Sequence, residues 1–292
     1  MLAMSLVLGL ASLPTASRAD DIKPKAPETA FSGKLRPDIL GISSESNAES
    51  ARATFDSLFK GHTDTKTDIQ QQKFGGASYV VALNFSLPAG SKQNGEMLST
   101  SFSSPASANR AYFVARNLTF AQDQQPSKAD MIKEVMGKYG VPTIVGDQHL
   151  YYIYRKGSIM SVGGKYKEAT ALEAIDKPLD PRAAVKLNGD TVRGSCVAVV
   201  KRAQTKAKEP SAMLAEAKGA NCDGVLSVQL IPGTPADRVG IAQFTLLDVK
   251  QLVSAAAIDS AALGAGSSGL SIASSAVASL YLPPTDMIEP LR

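Results

Sequence analysis

The chain has 292 residues, room for about two domains at roughly 150 residues each, and is 44% hydrophobic and 20% charged, an ordinary globular composition. Thirty-one Lys+Arg against 27 Asp+Glu give a formal net charge of +4, too small to argue for nucleic acid. Two His, two Cys and no Trp exclude a disulfide-dense mini-scaffold and a zinc ribbon, and the lack of repeated long apolar spans excludes a polytopic membrane protein.

Residues 1–19 read as a secretory signal. Leu2 to Leu13 is uncharged and apolar but shorter than the roughly 20 residues a bilayer span needs. Pro14 breaks the run, and Ser17-Arg18-Ala19 sets small residues at the two positions a signal peptidase reads. No Lys or Arg precedes the apolar run, and no Cys near the cleavage point offers a lipid attachment. An exported chain with two cysteines is expected to pair them, so Cys196 and Cys222 are assigned to a disulfide. In the chain-entropy model a loop of that length stabilises by roughly 3 kcal/mol.

Asp20 to Arg36, rich in Lys and Pro, reads as a flexible leader. Structure is expected from Asp38 onward. Ser46 or Asn47 can cap a first helix, with Glu49 at capping-box distance from Ser46 and Ala51, Phe55, Leu58 and Phe59 on one face. Four strands follow: Thr65–Phe74, polar and alternating; Tyr79–Phe85 after a Gly75-Gly76 turn; Met97–Phe102; and Tyr112–Phe120. Ser127 opens a second helix with Ile132, Val135, Met136 and Tyr139 as its stripe, ended by Gly140 and Pro142. His149–Tyr154 is a strand, and residues 163–194 read as a long connection. Val197–Val200, Val225–Ile231 and Val239–Val249 are further strands. Ser211–Lys218 and the Ala-rich Leu252–Leu263 read as helices.

The pieces Gly41-Ile42, the Asn47-capped helix, the meander, and Lys138-Tyr139-Gly140-Val141-Pro142 before another strand resemble a type of small exported bacterial domain. The likeness is to periplasmic domains of the SmpA/OmlA and beta-lactamase-inhibitor-protein-like kind, over roughly residues 38–155. Those domains commonly carry G-M-S or G-M-T before the helix, where this chain has Glu45-Ser46-Asn47. The resemblance implies an envelope binding or scaffolding role and a bacterial source, and it supplies no catalytic residues.

Chemical motifs are sparse. Gly264-Ala265-Gly266-Ser267-Ser268-Gly269 matches G-x-G-x-x-G, but an Ala-rich helical stretch precedes it where a dinucleotide loop needs a strand. His62 with Asp64 and His149 with Asp147 are too few for a zinc site and lack a nucleophile for a triad. No cofactor or metal is assigned. Lys201, Arg202, Lys206 and Lys208 form the densest basic patch, without the stacking aromatics of a single-strand nucleic-acid site. Tyr151, Tyr152 and Tyr154 form an aromatic strand whose plain reading is half-buried strand packing, as a solvated helix end or loop is that of the basic patch; read functionally, these seven residues are the candidate interaction surface. The charge-free stretch Ser260–Thr285 is rich in Ser and Gly, which leaves membrane contact as its minor reading.

The sequence therefore predicts an α+β protein with antiparallel sheets, each packed on one or two helices. The expected units are residues 38–160, then 195–250 tied by the disulfide, then a helical tail over 251–292; the alternative is that the cysteine-bearing strands complete the first sheet. The expected role is non-catalytic binding of a protein or an anionic envelope component in the periplasm. An exported hydrolase using a carboxylate site is the alternative.

Overall fold

In the computed structural model the described residues are 23–31, 36–160, 166–179, 214, 217–220 and 222–266. The signal segment, Cys196, the strand expected at Val197–Val200, the patch Lys201, Arg202, Lys206 and Lys208, and the tail beyond 266 lie outside them.

The elements follow the expected order closely. Helix α1 (Ala48–Leu58) is capped by Asn47, whose side chain accepts from the Ser50 amide at 2.8 Å while the Ser50 hydroxyl accepts from the Asn47 amide at 3.0 Å. The reciprocal box thus uses Asn47 and Ser50, not Ser46 and Glu49. Strands β1 (Lys66–Phe74), β2 (Ala77–Leu87), β3 (Gly95–Phe102) and β4 (Ala111–Thr119) form the meander. Phe74 pairs Ala77 across Gly75 and Gly76, both at positive φ, the two-residue hairpin turn that glycine favours. Helix α2 (Lys128–Tyr139) starts at Ser127, whose hydroxyl accepts from the Asp130 amide, and stops at Gly140.

Then come β5 (Ile144–Gly146), β6 (His149–Arg155), β7 (Ser158–Ile159), helix α3 (Glu168–Ala174), β8 (Gly224–Pro232), β9 (Val239–Asp248) and helix α4 (Val249–Gly266). Strands β5 and β7 and helix α3 were not expected, and α3 falls where a plain connection was read. The β5–β6 turn places Asp147 and Gln148 at positive φ with no glycine between the strands to announce it. Residues 214, 217 and 218, the described part of the helix expected over Ser211–Lys218, are helical, and 219 continues them.

The α+β class and the antiparallel pairing hold, but the separate sheets do not. One nine-strand antiparallel sheet runs in the order β1-β2-β3-β4-β9-β8-β6-β5, with β7 beside β6. Strand β9 pairs β4 from Phe113↔Leu247 to Thr119↔Ile241, and β8 pairs β6 from His149↔Gln229 to Tyr154↔Gly224. The two described strands assigned to a second unit, β8 and β9, are the centre of the first sheet. Their apolar alternation on both faces fits that central position.

Helices cover both faces. On the front, α1, α2 and α3 pack Phe55, Ile132, Val135 and Ala171 over Phe85, Val114, Leu226, Val228 and Leu246. Phe59 stacks on Phe85 at 3.8 Å between ring centres. On the rear, α4 sets Leu252, Ala255 and Ala256 against Val225, Leu247 and Ile153. Two bulges adjust which side chains reach α4. Gln70 and Gln71 pair Ala82 and Val80, leaving Val81 extra, and Ser101 and Phe102 pair Phe113 and Ala111, leaving Tyr112 extra. Val81 and Tyr112 both belong to the rear cluster.

The leader is a second correction. Residues 23–31 form a strap docked on the fold, with Ala30 and Phe31 buried and the Phe31 ring edge-on to Tyr154 at 4.9 Å. The strap is held at the β9–α4 junction. Asp248 accepts from the Thr29 hydroxyl at 2.5 Å, from the Ala30 amide at 3.1 Å, and from the Gln251 amide at 2.8 Å as the cap of α4. Glu28 adds an ion pair to Lys250 at 3.0 Å. Gly224 is required beneath it, since a Cβ there would meet the Phe31 ring at 2.7 Å.

Burial outweighs these hydrogen bonds and pushes the Asp248 carboxyl up to about 6. An acid whose folded pKa exceeds its unfolded value near 3.8 favours the folded state most where both are protonated. Its contribution is therefore full below about pH 4 and declines as pH rises through about 6, by an amount on the order of 2–3 kcal/mol. Urea unfolding of the wild type and of Asp248→Asn, which keeps a capping oxygen, is expected to show that pH-dependent difference between pH 4 and 7. A difference that is flat with pH would contradict the assignment.

Candidate binding surface

The expected aromatic surface is core. Tyr151 and Tyr152 are 0% exposed and Tyr154 is 2% exposed. Strand β6 lies between β8 and β5 with side chains packed on both faces of the sheet, so neither side of its pleat meets solvent. Tyr152 and Tyr154 point into the front cluster and Tyr151 into the rear one. Burial raises all three phenols well above their ordinary pKa.

His149 lies against Tyr151 with rings parallel and 5.0 Å apart, and its Nδ1 is 2.5 Å from the Asp147 carbonyl oxygen. His62 is exposed after α1. Among the described residues no three His, Cys, Asp or Glu side chains are grouped to hold a metal ion. Cys222 is buried at the entry to β8 and is not free. Its expected partner Cys196 lies outside the described residues.

The buried carboxylates are engaged in the fold. Besides Asp248, Asp259 on α4 is fully buried and accepts from the Ser104 hydroxyl at 2.7 Å. No helix among the described residues is long and apolar enough to cross a membrane. The described part of the charge-free stretch, Ser260 to Gly266, is the end of α4.

The two edges of the sheet are unlike. At one edge the chain itself covers the β5–β6 turn: the Asp147 amide donates to the Lys177 carbonyl at 2.8 Å and the Gln148 amide to the Ile175 carbonyl at 2.7 Å. At the other edge lies β1, a regular nine-residue strand, largely exposed and without proline. Among the described residues its outer side has no strand partner, so a row of backbone N–H and C=O groups faces outward.

A groove of about 450 Å³ opens beside this edge, between the first turn of α1 and the sheet. Ile69, Val80 and Leu83 give it an apolar floor, and Asn47, Glu49 and Arg52 a polar rim. Ile69 and Gln71 line it from β1, which places the odd-numbered residues of that strand on the α1 side. Phe74 packs in the rear cluster, which places the even-numbered ones on the other face. Asp68 is held by the amides of Gln70 at 3.2 Å and Asn84 at 3.1 Å. Lys66 and Lys73 have no ion-pair partner among the described residues, and they bracket the edge.

The residues of the K-Y-G-x-P turn serve packing instead. The Tyr139 hydroxyl donates to the Asp38 carbonyl at 2.8 Å and the Lys138 ammonium lies 3.0 Å from the Asp38 carboxylate, tying the end of α2 to the chain just before Gly41-Ile42. Comparison with protein-family models, curated proteins and solved structures finds no match.

Among the described residues the hydroxyls of Tyr151 and Tyr152 are buried without a hydrogen-bond partner, so removing them costs little. Tyr151→Phe and Tyr152→Phe are expected to leave unfolding free energy within about 1 kcal/mol of wild type or raise it. Tyr152→Ala, which leaves a cavity, is expected to lose about 3–5 kcal/mol. Chemical denaturation measures both; a large loss on Tyr→Phe would mean these hydroxyls do carry an interaction.

Proposed function

We propose that this chain is a non-catalytic exported protein of the periplasm that binds a protein or another cell-envelope component, with the β1 edge and its groove as the contact surface. The observation that carries the reading is the contrast between the two sheet edges: at one the chain covers the β5–β6 turn with its own backbone, and at the other no described residue pairs with the outer side of the nine-residue β1. Such an edge templates pairing with another chain, and proteins blunt it with proline, short length, a cover or charges; β1 has no proline and is nine residues long, and its Lys66, Asp68 and Lys73 are the charges that restrict what can pair with it. Export is supported by the apolar run Leu2–Leu13 and the small residues before Asp20, and the Cys196–Cys222 bridge belongs to the same reading. The resemblance of residues 38–155 to small periplasmic domains points the same way.

Binding is favoured over the hydrolase alternative by what surrounds the buried acids. A hydrolytic pair needs carboxylates facing a substrate cavity, whereas Asp248 caps α4 and holds the strap, and Asp259 is bonded to Ser104. The Lys201–Lys208 patch stays a candidate for anionic components.

Photo-crosslinking residues placed at Thr67 and Gln71 of β1 test the reading in intact cells. Discrete adducts from these positions, absent from a control position at Glu173 on α3, are expected. Absence of adducts from β1, with the protein free in the soluble fraction, would contradict it.

A further inference from the structure

The open edge constrains what it can accept. A single row of alternating N–H and C=O groups at strand pitch is complementary to one thing above all, another backbone in extended conformation. Sugars and headgroups match individual donors but not their repeat. Side chains of an added strand would alternate, half of them on the α1 side beside Ile69 and Gln71 and half on the rear side beside Asp68, Gln70 and Gln72.

On the α1 side the neighbouring groove supplies an apolar floor of Ile69, Val80 and Leu83. A side chain there gains by burying apolar area, at roughly 25 cal/mol per Å². The charges select further. Asp68 accepts from the neutral side-chain amides of Gln70 and Asn84 and keeps its negative charge near the middle of the strand, whereas the cations of the edge, Lys66 and Lys73, stand one near each end, so acidic partner residues are favoured at the ends and disfavoured opposite Asp68. Oppositely charged residues directly across a strand pair are favoured and like charges disfavoured.

We infer that the β1 edge binds an extended segment of a partner polypeptide as a tenth strand, with apolar residues at alternate central positions filling the α1 groove and acidic residues opposite Lys66 and Lys73. This rests on the binding reading above and names its ligand class. Main-chain pairing supplies affinity without sequence, and the groove and the two lysines supply choice.

A phage-displayed library of nonapeptides selected against the purified full chain tests it. Enriched peptides are expected to alternate apolar and polar residues and to carry Asp or Glu toward their ends. Their binding is expected to fall at least tenfold for Ala48→Trp, which fills the groove, and at least tenfold for the double change Lys66→Glu with Lys73→Glu. Lys66 and Lys73 are exposed and Ala48 is half-buried at the groove, and urea midpoints matching wild type would verify that each variant is folded. Enriched peptides that bind both folded variants as tightly as wild type would overturn the inference. So would the absence of any enriched peptide while β1 still crosslinks in cells, an outcome that leaves the binding reading standing with a ligand that is not an added strand. Absence of both enrichment and crosslinks would overturn the binding reading as well.

Discussion

One buried carboxylate joins most of the molecule. Asp248 ends the central strand β9, starts the helix that covers the rear face, and receives the strap that runs toward the N-terminus. Each of these elements presents backbone or hydroxyl donors that would otherwise be unsatisfied at a buried junction. Satisfying them with one acceptor fixes the exit angle of α4 and the path of residues 23–31 together. The position of the strap then closes the end of β8, because Ala30 and Phe31 lie against Gly224 with no room for a side chain. Placing a charge there is costly, and the raised pKa of the group records that cost.

From that junction the rest of the sheet follows. With β9 held, β4 and β8 flank it, and the sheet grows outward to β1 on one side and β5 on the other. Helices pack on both faces, and among the described strands β1 is the most exposed. The chain folds back over the β5 side through Ile175 and Lys177, and Lys128 of α2 secures that return with a 2.7 Å ion pair to Asp176. Strand β1 receives no such cover from the described residues. Architecture thus converts an ordinary polar strand into the accessible part of an otherwise enclosed sheet.

Local structure was largely legible in the residues. The Asn47 and Ser127 caps, the Gly75-Gly76 turn and the alternation of β2, β4 and β8 announce their elements because those signals act over a few residues. What escaped is long-range. Nothing near Phe113 or Leu247 states that they will pair, so the cysteine-side strands read as a second sheet when they complete the first. The Tyr151–Tyr154 strand looked like a surface because aromatic residues serve interfaces and cores equally, and only its neighbours in the sheet decide. Asp248 gave no motif, since its partners Thr29 and Ala30 lie at the far end of the chain. The polar character of Thr65–Phe74 was the usable clue to an edge: a strand with so few apolar residues cannot sit in the middle of a sheet covered on both faces.

Residue-resolved amide hydrogen exchange on the free protein tests the unequal edges most directly. The account predicts that alternate amides of β1 between Lys66 and Phe74 exchange much faster than those of Asp147 and Gln148, which donate to Lys177 and Ile175 at the opposite edge. Protection of every β1 amide to the level of Asp147 and Gln148 would show that this edge is already covered, and would contradict the account.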